Sequence, residues 1–418
     1  MTPVPVVDLF AGPGGLGEGF SALDSGTRFR LALSVEMDPT ARETLRLRSL
    51  FRKFAEGQAP ADYYAYVRGE LPFDDLAHRH PDEFEAADRE AWCAQLGVEP
   101  ARSVKRRVSE ALGGSRTEPF VLVGGPPCQA YSLVGRSRMR SALGEEFDSD
   151  HRHLLYREYL RILADHPPAI FVLENVRGLL SSQHRGERIF ERIVDDLRKP
   201  GAALGIRPSQ GRALEYELFP IGPVVHPRLL GNTTNPEDFL LRAEELGLPQ
   251  ARHRVIVVGV HRDLADHARA VLQSLVPTEA PATVADAIGD LPPLRSGISR
   301  SRDGAEEWVQ CVCAAARELR RGRQVSKEMI GELAKVEAEL AVPVAGRGGE
   351  YVPGKSPRPR YRPDWFTDPR IKGVLNHATK GHIQPDLARY LFAAVFARTT
   401  GRSPQVSEFP SGLLPPSN

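Results

Sequence analysis

Cysteine is scarce in this sequence of 418 residues, which contains only four. Four scattered cysteines cannot build the disulfide framework that stabilises a small secreted domain. Cys311 and Cys313 lack the second ligand pair of a structural zinc site. We therefore interpret them as small residues on a helix and predict no bound metal.

Long apolar segments are also absent. No run of apolar residues approaches the roughly 20 that a membrane-spanning helix needs. Residues 1–5 lack the basic start and the apolar stretch of a signal peptide. With 41% hydrophobic and 26% charged residues, the composition is that of an ordinary globular chain. We therefore expect a cytoplasmic protein that does not enter a membrane.

An excess of either charge is missing as well. The 55 basic and 54 acidic residues leave a formal net charge of +1. This balance excludes a surface that is basic all over but allows a local basic groove. Only 8 of the basic residues are lysine. Arginine is the better donor for bidentate contacts to phosphate and guanine, so the composition is compatible with a nucleic-acid groove. A GC-rich genome is the alternative explanation of the arginine excess.

Short predicted strands alternate with helices over the first 265 residues. Residues 4–10 form an apolar strand that ends in a glycine cluster, a helix follows from Leu16 to Phe20, and residues 30–35 form a second strand. Further buried strands are predicted at residues 120–123, 169–173 and 254–260. This order is typical of an α/β fold in which helices cover both faces of a mostly parallel, Rossmann-like sheet.

The remaining segments divide the chain into two predicted domains. Residues 1–265 form the first, with a polar, helical insertion at about residues 56–115. Residues 266–418 form the second, which begins with a linker and contains a charged helix pair at 303–341. A passage rich in proline and glycine, around residues 199–236, is predicted to form a hairpin or loop.

The first strand runs directly into a glycine loop. Residues 8–15 read DLFAGPGG, and such a loop lets the backbone approach a bound nucleotide closely. The spacing fits G-x-G-x-x-G poorly, which disfavours a dinucleotide. Glu36, at the end of the second strand, is placed to hold two ribose hydroxyls. A cofactor that contains a nucleoside but no pyrophosphate suits both features.

A second motif also follows a strand directly. Residues 124–129 read GGPPCQ, so Cys128 lies on a rigid turn at the carboxyl end of a strand, where α/β sheets bind ligands. Nearby N–H groups and cations activate a thiolate in such a position. A buried structural cysteine is the alternative interpretation.

Two more motifs lie at strand ends. Glu174, in the sequence ENV, is expected to open onto the same edge as Cys128, where a carboxyl group can protonate or hydrogen-bond a ring nitrogen. A helix N-cap at Asn175 is the alternative. Residues 250–254 read QARHR, and strand alternation places Arg252 and Arg254 on one face, where they can hold an anion or a carbonyl. A solvated strand edge is the alternative there.

Taken together and in this order, the four motifs resemble those of the DNA cytosine-5 methyltransferases, particularly the bacterial enzymes of restriction–modification systems. The resemblance covers roughly residues 4–260, and the segment TVADAI at 283–288 is similar to one that often follows the arginine motif. It implies the Rossmann-like fold of S-adenosylmethionine-dependent methyltransferases and double-stranded DNA as the substrate.

The resemblance also implies a mechanism. Cys128 attacks C6 of a cytosine flipped out of the duplex, Glu174 holds N3 and the exocyclic amine, and a methyl group moves from S-adenosyl-L-methionine to C5. Arg252 contacts the base carbonyl or the covalent adduct, and Arg254 completes the catalytic set. The implied cofactor contacts are Asp8, Phe10, Gly12, Gly14, Gly15, Leu16, Glu36, Met37 and Pro126. The implied DNA contacts are Gln129, Ser132, Arg136, Arg138 and Arg140.

Two parts of the family pattern are not found. The acid with which the third strand usually meets the adenine amine is not identified, since the insertion obscures the register. A closing segment similar to Gly-Asn-Ala-Val-Pro-Pro is also missing. We therefore expect an incomplete chain, either truncated or half of a split enzyme that needs a complementing polypeptide; a degenerate DNA-binding protein is the third interpretation. The apolar end, Phe409 with Leu413 and Leu414, is expected to be exposed.

Residues 351–402 begin the predicted recognition region, while residues 342–364 are expected to be irregular. Basic residues interleaved with Tyr361 and Trp365 either line DNA or form a solvated linker. They are Arg358, Arg360, Arg362, Arg370 and Lys372.

Three functions stay open on sequence grounds. Methylation of DNA at cytosine C5 is favoured, with a cognate restriction endonuclease as a candidate partner. An RNA cytosine-5 methyltransferase shares the motifs, but such relatives are compact and lack a large recognition region. A non-enzymatic binding subunit conflicts with the intact Cys128 and Glu174. The recognised DNA sequence and the oligomeric state are not set by the sequence.

Overall fold

One mixed β-sheet organises the first part of the chain. The computed structural model describes residues 2–114, 118–127, 155–184, 187–207, 213–221, 235–271, 278, 281–322 and 325–414. The strands are β1 (Val4–Leu9), β2 (Phe29–Glu36), β3 (Ala91–Cys93), β4 (Val121–Gly124), β5 (Ile170–Val176), β6 (Gln183–His184), β7 (Glu187–Arg188), β8 (Tyr216–Phe219), β9 (Leu240–Arg242), β10 (His253–His261), β11 (Gly297–Ile298), β12 (Gly348–Pro353), β13 (Gly373–Ala378) and β14 (Gly381–His382).

Helices connect these strands and build the last part of the chain. They are α1 (Gly15–Ser21), α2 (Pro39–Lys53), α3 (Ala61–Val67), α4 (Phe73–Arg79), α5 (Pro81–Glu90), α6 (Ala101–Ala111), α7 (Leu155–Asp165), α8 (Ile189–Arg198), α9 (Pro200–Ala203), α10 (Ala265–Val271), α11 (Val284–Ile288), α12 (Ala305–Arg321), α13 (Lys327–Glu339), α14 (Pro363–Phe366) and α15 (Gln384–Thr400). Short 3-10 turns occur at Arg177–Leu179, Pro236–Phe239, Ala243–Leu246, Arg262–Leu264, Pro369–Ile371, Val406–Glu408 and Ser411–Leu413.

The strand order confirms the predicted α/β fold. Seven strands lie in the order β3-β2-β1-β4-β5-β10-β8, and β9 pairs with β10 as the eighth. Every pair from β3 to β5 is parallel. Strand β10 runs antiparallel to its neighbours β5, β8 and β9. The sheet is therefore mostly parallel and Rossmann-like, with an antiparallel edge.

Helices cover both faces of this sheet. Alternation along β1 turns Val7 and Leu9, both fully buried, toward the apolar residues of α6, α7 and α8. Val6 lies on the opposite face, with Leu16 and Phe20 of α1 packed in the same cluster. Burial on both faces explains why β1 and its neighbours have nearly continuous apolar sequences.

The chain divides into two compact units. The first contains residues 1–63 and 72–287, and the second contains residues 64–71 and 288–418. The sequence suggested a boundary at residue 265. The first unit extends further because α10 packs on the sheet, where Ala268 contacts Phe219 and Val260. The assignment of catalysis to residues 1–265 and of recognition to the remainder stays a prediction.

The second unit has its own apolar core. Ala316 of α12, Leu333 of α13 and Phe392 of α15 are buried together, so the predicted charged helix pair is present as α12 and α13. The expectation of an exposed apolar end is wrong. Phe409 and Leu413 pack against this core, with the Phe409 ring centroid 4.9 Å from that of Phe392.

The sequence analysis predicted β1, β2, β4, β5 and β10 and did not place the other nine described strands, most of which have only two to four residues. Strand β3 lies inside the predicted insertion, β8 lies in the passage rich in proline and glycine, and β12 lies in a segment expected to be irregular. Strands of three or four residues are too short for a period of two to be read.

Cys311 and Cys313 lie on α12 as free thiols. Within the described ranges, no three cysteine, histidine or acidic side chains form a cluster that could hold a metal ion. None of the helices that the structure describes has the length and hydropathy needed to cross a membrane.

Candidate active site

The parallel strands of the first unit end at a common edge of the sheet. The chain moves outward from β1 to β2 and β3 and then returns to β4 on the other side of β1. Ligand-binding crevices lie at such a reversal, outside the carboxyl ends of the strands. The glycine loop, Glu36 and the Gly125–Pro127 turn all follow strands at this edge.

The glycine loop leaves β1 in a strained, tightly turned conformation. Phe10 has a φ of 56°, a left-handed value that costs a non-glycine residue about 1–3 kcal/mol and clusters at functional sites. Gly12 and Gly14 follow with φ values of 55° and 94°. A Cβ on Gly12 would meet nothing within 4 Å. The loop therefore leaves open space above its backbone before Gly15 and Leu16 begin α1.

Two backbone amides hold Glu36 at the end of β2. Its Oε2 accepts a hydrogen bond from the Gly12 N–H and its Oε1 accepts one from the Asp38 N–H, both at 2.8 Å. A carboxylate has about four lone-pair sites, so acceptor capacity remains for two hydroxyl groups. The neighbouring Met37 is 55% exposed, so its side chain is free to lie beside a bound base.

Asp8 lies beneath the loop, with its side chain only 1% exposed. Its Oδ2 is so close to α1 that a Cβ on Gly17 would come within 3.1 Å of it. Neither oxygen has a regular hydrogen-bond partner among the described residues. Burial raises the pKa of Asp8 to about 7; Glu36 adds to the rise, whereas the nearby Gly17 N–H and Arg52 oppose it. A side chain so buried acts on a ligand only through the loop above it, so the expected contact is an indirect one.

The third strand brings no acid to this edge. Cys93 of β3 lies opposite Glu36 of β2, and the Ala94 N–H donates a hydrogen bond to the Glu36 carbonyl at 2.9 Å. Cys93 and Gln95 are the exposed side chains at the end of the strand. The Cys93 thiol lies 3.9 Å from the Met37 carbonyl oxygen. A thiol and a carboxamide thus occupy the position where the resemblance leads one to look for an acid.

The turn that precedes Cys128 packs against β5. A Cβ on Gly125 would lie 2.7 Å from Glu174 Oε2, so any side chain there would push the carboxylate away. Asn175 Nδ2 donates a hydrogen bond to the Pro126 carbonyl at 3.1 Å, while its Oδ1 accepts one from the next backbone N–H at 2.9 Å. Asn175 is 6% exposed and belongs to β5, which excludes the helix N-cap interpretation. Its buried amide fixes the backbone two residues before the cysteine.

Arg254 pairs with Glu174 across the two strands. Arg254 Nε lies 2.6 Å from Glu174 Oε1, and the two side chains are 18% and 27% exposed. The register places Ile256 opposite Glu174, so Arg254 reaches the carboxylate diagonally. The guanidinium therefore fixes the orientation of a carboxylate that stays accessible from the crevice.

Arg252 has a different environment. Strand β10 begins at His253, so Arg252 precedes it, and the alternation expected to place it on one face with Arg254 does not apply. Its side chain is exposed and forms no ion pair with any residue that the structure describes. His253 Nε2 lies 2.7 Å from Glu244 Oε1, which fixes the start of the strand. The sequence analysis missed this pair and the role of the Asn175 amide; polar residues inside an apolar strand were the available signal.

The other predicted site residues lie outside the described residues. They are Cys128, Gln129, Ser132, Arg136, Arg138 and Arg140. The backbone is described as far as Pro127, at the edge of the sheet that carries Glu174.

Comparisons with known proteins agree with one another. The family of C-5 cytosine-specific DNA methylases matches residues 114–204. The Type II methyltransferase M.Bpa9945I of Bacillus paralicheniformis is 29% identical over 306 residues, 69% of this chain and 61% of the relative. The Type II methyltransferase M.AquIA of a Picosynechococcus species is 26% identical over 254 residues, 61% of this chain and 71% of the relative. The chain thus spans about three fifths of the length of the first relative.

Solved structures give a looser likeness. A putative DNA modification methyltransferase encoded within a prophage of E. coli is 18% identical, with a TM-score of 0.36, over 73% of this chain and 64% of the other. The Entamoeba histolytica methyltransferase EhMeth is 12% identical, with a TM-score of 0.39, over 75% of this chain and 67% of the other. At these scores the structural likeness carries no functional information.

Proposed function

Since this chain belongs to the family of C-5 cytosine-specific DNA methylases, we propose that it transfers a methyl group from S-adenosylmethionine to C5 of cytosine in double-stranded DNA. One observation carries the proposal: Glu174, Arg254 and the turn before Cys128 converge at one sheet edge. The glycine loop and Glu36 end their strands at the same edge.

Cys128 is the proposed nucleophile. Cytosine C5 is a poor nucleophile, and addition of a thiolate to C6 makes it electron-rich because the 5,6 double bond opens toward C5. After methylation a base such as water takes the C5 proton, and the electrons of the C5–H bond restore the 5,6 double bond. The bond between C6 and the sulfur breaks, and its electron pair returns to the sulfur. Cys128 is released as a thiolate, ready for another turnover.

Glu174 and the two arginines are proposed to hold the base. Glu174 would hold N3 and the exocyclic amine, and would hydrogen-bond or protonate N3, where negative charge develops as the thiolate adds to C6. Arg254 keeps the carboxylate in one orientation, as their 2.6 Å contact supports. Arg252, which is exposed at the start of the strand, is the proposed contact to the base carbonyl.

The residues of the glycine loop fit the proposed cofactor. The open space above Gly12 admits a ligand down to the backbone, and Glu36 retains acceptor capacity for ribose hydroxyls. Phe10 and Met37 are the proposed neighbours of the adenine. When bound, S-adenosylmethionine supplies an electrophilic methyl group.

The substrate base must leave the duplex, because neither C5 nor C6 can be reached inside the stack. Flipping costs about a few kcal/mol. The proposed contacts that hold the opened DNA are Gln129, Ser132, Arg136, Arg138 and Arg140. A cytoplasmic setting and a cognate restriction endonuclease, or a complementing polypeptide, are proposed along with this function.

Transfer of a labelled methyl group from S-adenosylmethionine to unmethylated duplex DNA tests the proposal. We expect label at cytosine C5 with the unaltered chain and none with Cys128→Ser. Cys311→Ser is the matched control, since it alters a free thiol on α12 that has no place in the proposed site, and it should retain transfer. Label on another base or another cytosine atom would contradict the proposal, as would equal transfer by Cys128→Ser.

A further inference from the structure

An exposed basic segment of the second unit, residues 355–372, stands out by its uncompensated charge; we call it the basic loop. Lys355, Arg358, Arg360 and Arg362 are all exposed, and none of their side chains forms an ion pair with a residue in the described ranges. Many other arginines pair with carboxylates, as Arg52 does with Glu90 at 2.7 Å. The six basic residues of the loop outnumber its two acidic ones, and this net positive charge favours a polyanionic partner. The Arg358 backbone N–H also donates to the Asp290 carboxylate, which leaves the guanidinium free of an ion pair.

The basic loop has a fixed shape. Thr367 Oγ1 donates a hydrogen bond to the Pro357 carbonyl at 3.1 Å, which closes the loop on itself. The guanidinium of Arg362 lies 5.8 Å from the ring centroid of Trp365. Arg362 and Lys372 have left-handed φ values of 42° and 58°. Such strain in basic residues persists only where the surroundings impose it, and it is common in ligand-binding segments.

Two large aromatic side chains lie exposed beside these cations. Trp365 is 50% exposed and Phe366 is 54% exposed. Aromatic rings interleaved with cations suit a nucleic acid, since the cations meet phosphates while the rings pack on sugars or opened bases. The basic loop therefore offers both kinds of contact on one surface.

Helix α3 of the predicted insertion holds one end of the basic loop. Tyr64, only 4% exposed, donates a hydrogen bond from its hydroxyl to Asp368 Oδ2 at 2.7 Å. The Arg370 guanidinium lies 4.7 Å from the centroid of the Tyr64 ring. Arg68 Nη1 donates to the Arg370 carbonyl at 3.3 Å. These contacts link segments 304 residues apart, and residues 64–71 belong to the second unit for this reason.

We propose that the basic loop binds the sugar–phosphate backbone of duplex DNA and that Tyr64 and Arg68 are its positioning residues. The insertion in the first part of the sequence thus contributes to DNA binding by the second unit. The choice of DNA as the polyanion rests on the proposed function. The charge pattern of the basic loop and its contacts with α3 are observed in the structure and are independent of that function.

Salt dependence of binding tests the basic loop. The probe is a fluorescein-labelled, unmethylated 30-base-pair duplex of mixed sequence, and the protein is the full chain. Each lost phosphate contact lowers the slope of log Kd against log salt by about 1. Arg358→Gln with Arg360→Gln should therefore lower the slope by about 2 and weaken binding to all sequences. The matched control, Arg102→Gln with Arg106→Gln on α6, also removes two exposed arginines and should leave the slope unchanged.

Tyr64→Phe tests the positioning role, because it removes only the hydroxyl that bonds Asp368. We expect the Kd and KM for DNA to rise about 3- to 10-fold, as loss of one charge-assisted hydrogen bond allows. The turnover at saturating DNA and the Kd for S-adenosylmethionine should stay unchanged. Trypsin should cut faster after Arg360. Tyr390→Phe, which alters an exposed tyrosine of the second unit, should change none of these values.

Several results would overturn the inference. One is an unchanged salt slope in the double arginine variant. Another is a Tyr64→Phe variant that binds DNA normally, or that loses turnover and cofactor binding to the same extent, which indicates a general structural defect. Tighter binding of an RNA duplex of the same sequence would reject DNA as the partner. Binding is measured without methyl transfer, so a chain that binds through the loop but does not methylate refutes only the proposed function.

Discussion

The sheet edge of the first unit and the basic loop of the second unit differ in whether their charged side chains have partners. At the sheet edge, two backbone amides hold Glu36, and Arg254 holds Glu174. In the basic loop, the side chains of Arg358 and Arg360 are exposed and form no ion pair with any of the described residues. Fixed partners suit chemistry, which needs groups in one orientation, whereas uncompensated charge suits attraction of a polyanion.

Removal of the charge on Glu174 should have the largest effect and should separate the two regions. Glu174→Gln retains the size of the side chain but cannot serve as an anion or as an acid. We expect turnover to fall by about 100- to 10,000-fold, the range for loss of acid–base assistance. The Kd for DNA and its salt slope should change little, since the basic loop is intact. Single-turnover methyl transfer and fluorescence binding measure the two quantities.

Glu110→Gln, an exposed carboxylate on α6, is the control for that experiment and should retain full turnover. If Glu174→Gln methylates DNA at the normal rate, the chemical role of the sheet edge is refuted.

Asn175 offers a sharper test of how the edge is positioned. Asn175→Asp retains the shape and the acceptor but cannot donate to the Pro126 carbonyl. We expect turnover to fall about 10- to 100-fold, because small displacements near a reacting group cost about that much. The Kd values for cofactor and DNA should stay near normal. Asn175→Ala should be no more active than Asn175→Asp; if the Asp variant turns over normally, the donated hydrogen bond has no positioning role.

Substitution of Glu36 should weaken cofactor binding and leave the rate of the chemical step nearly unchanged. A carboxamide has one acceptor oxygen, so Glu36→Gln cannot accept from both the Gly12 and the Asp38 N–H. We expect the Kd for S-adenosylmethionine to rise about 10-fold, with turnover at saturating cofactor nearly unchanged. Calorimetric titration measures the first value. Glu43→Gln on α2 is the matched control, and an equal weakening in both variants would reject a specific role for Glu36.

Asp8 should have the smallest effect on the reaction and a measurable effect on stability. Its pKa is 3.8 when unperturbed and about 7 in the folded chain, so the folded state holds a proton that the unfolded state loses. The protonated Asp8 therefore contributes to the free energy of unfolding. This contribution is full below about pH 4, falls as the pH rises, and is lost above about pH 7. Between these pH values the free energy of unfolding can fall by about 1.4 kcal/mol per pH unit.

Asp8→Asn removes this titration, so its stability should fall less than that of the unaltered chain between pH 4 and pH 7. Urea unfolding at each pH measures the difference. Parallel curves for the two proteins would show that Asp8 is ionised in the folded state.

The parts of the fold that follow from local patterns were predictable. Strand β1, the glycine loop and Glu36 lie close together in sequence, so apolar runs and glycine punctuation were enough. Strands β3 and β8 were missed because each is short and depends on its neighbours for pairing. Only the structure separates Arg254, which contacts Glu174, from Arg252, which lies before the strand.

Long-range packing was the least predictable. The hydrogen bond between Tyr64 and Asp368 joins segments that share no local pattern, so nothing in the insertion indicated that part of it folds with the second unit. The burial of Phe409 against Phe392 was likewise hidden, since apolar residues at the end of a sequence look the same whether packed or exposed.

The covalent intermediate is the most direct test of the account. Fluorine cannot leave C5 as a cation, so a duplex synthesised with 5-fluorodeoxycytidine should trap the adduct after methyl transfer. With S-adenosylmethionine present, the account predicts a protein–DNA complex that survives heat and detergent for the unaltered chain and for Cys311→Ser. Cys128→Ser should give none. A resistant complex with Cys128→Ser, or methylation of ordinary DNA by a chain that never forms the complex, would contradict it.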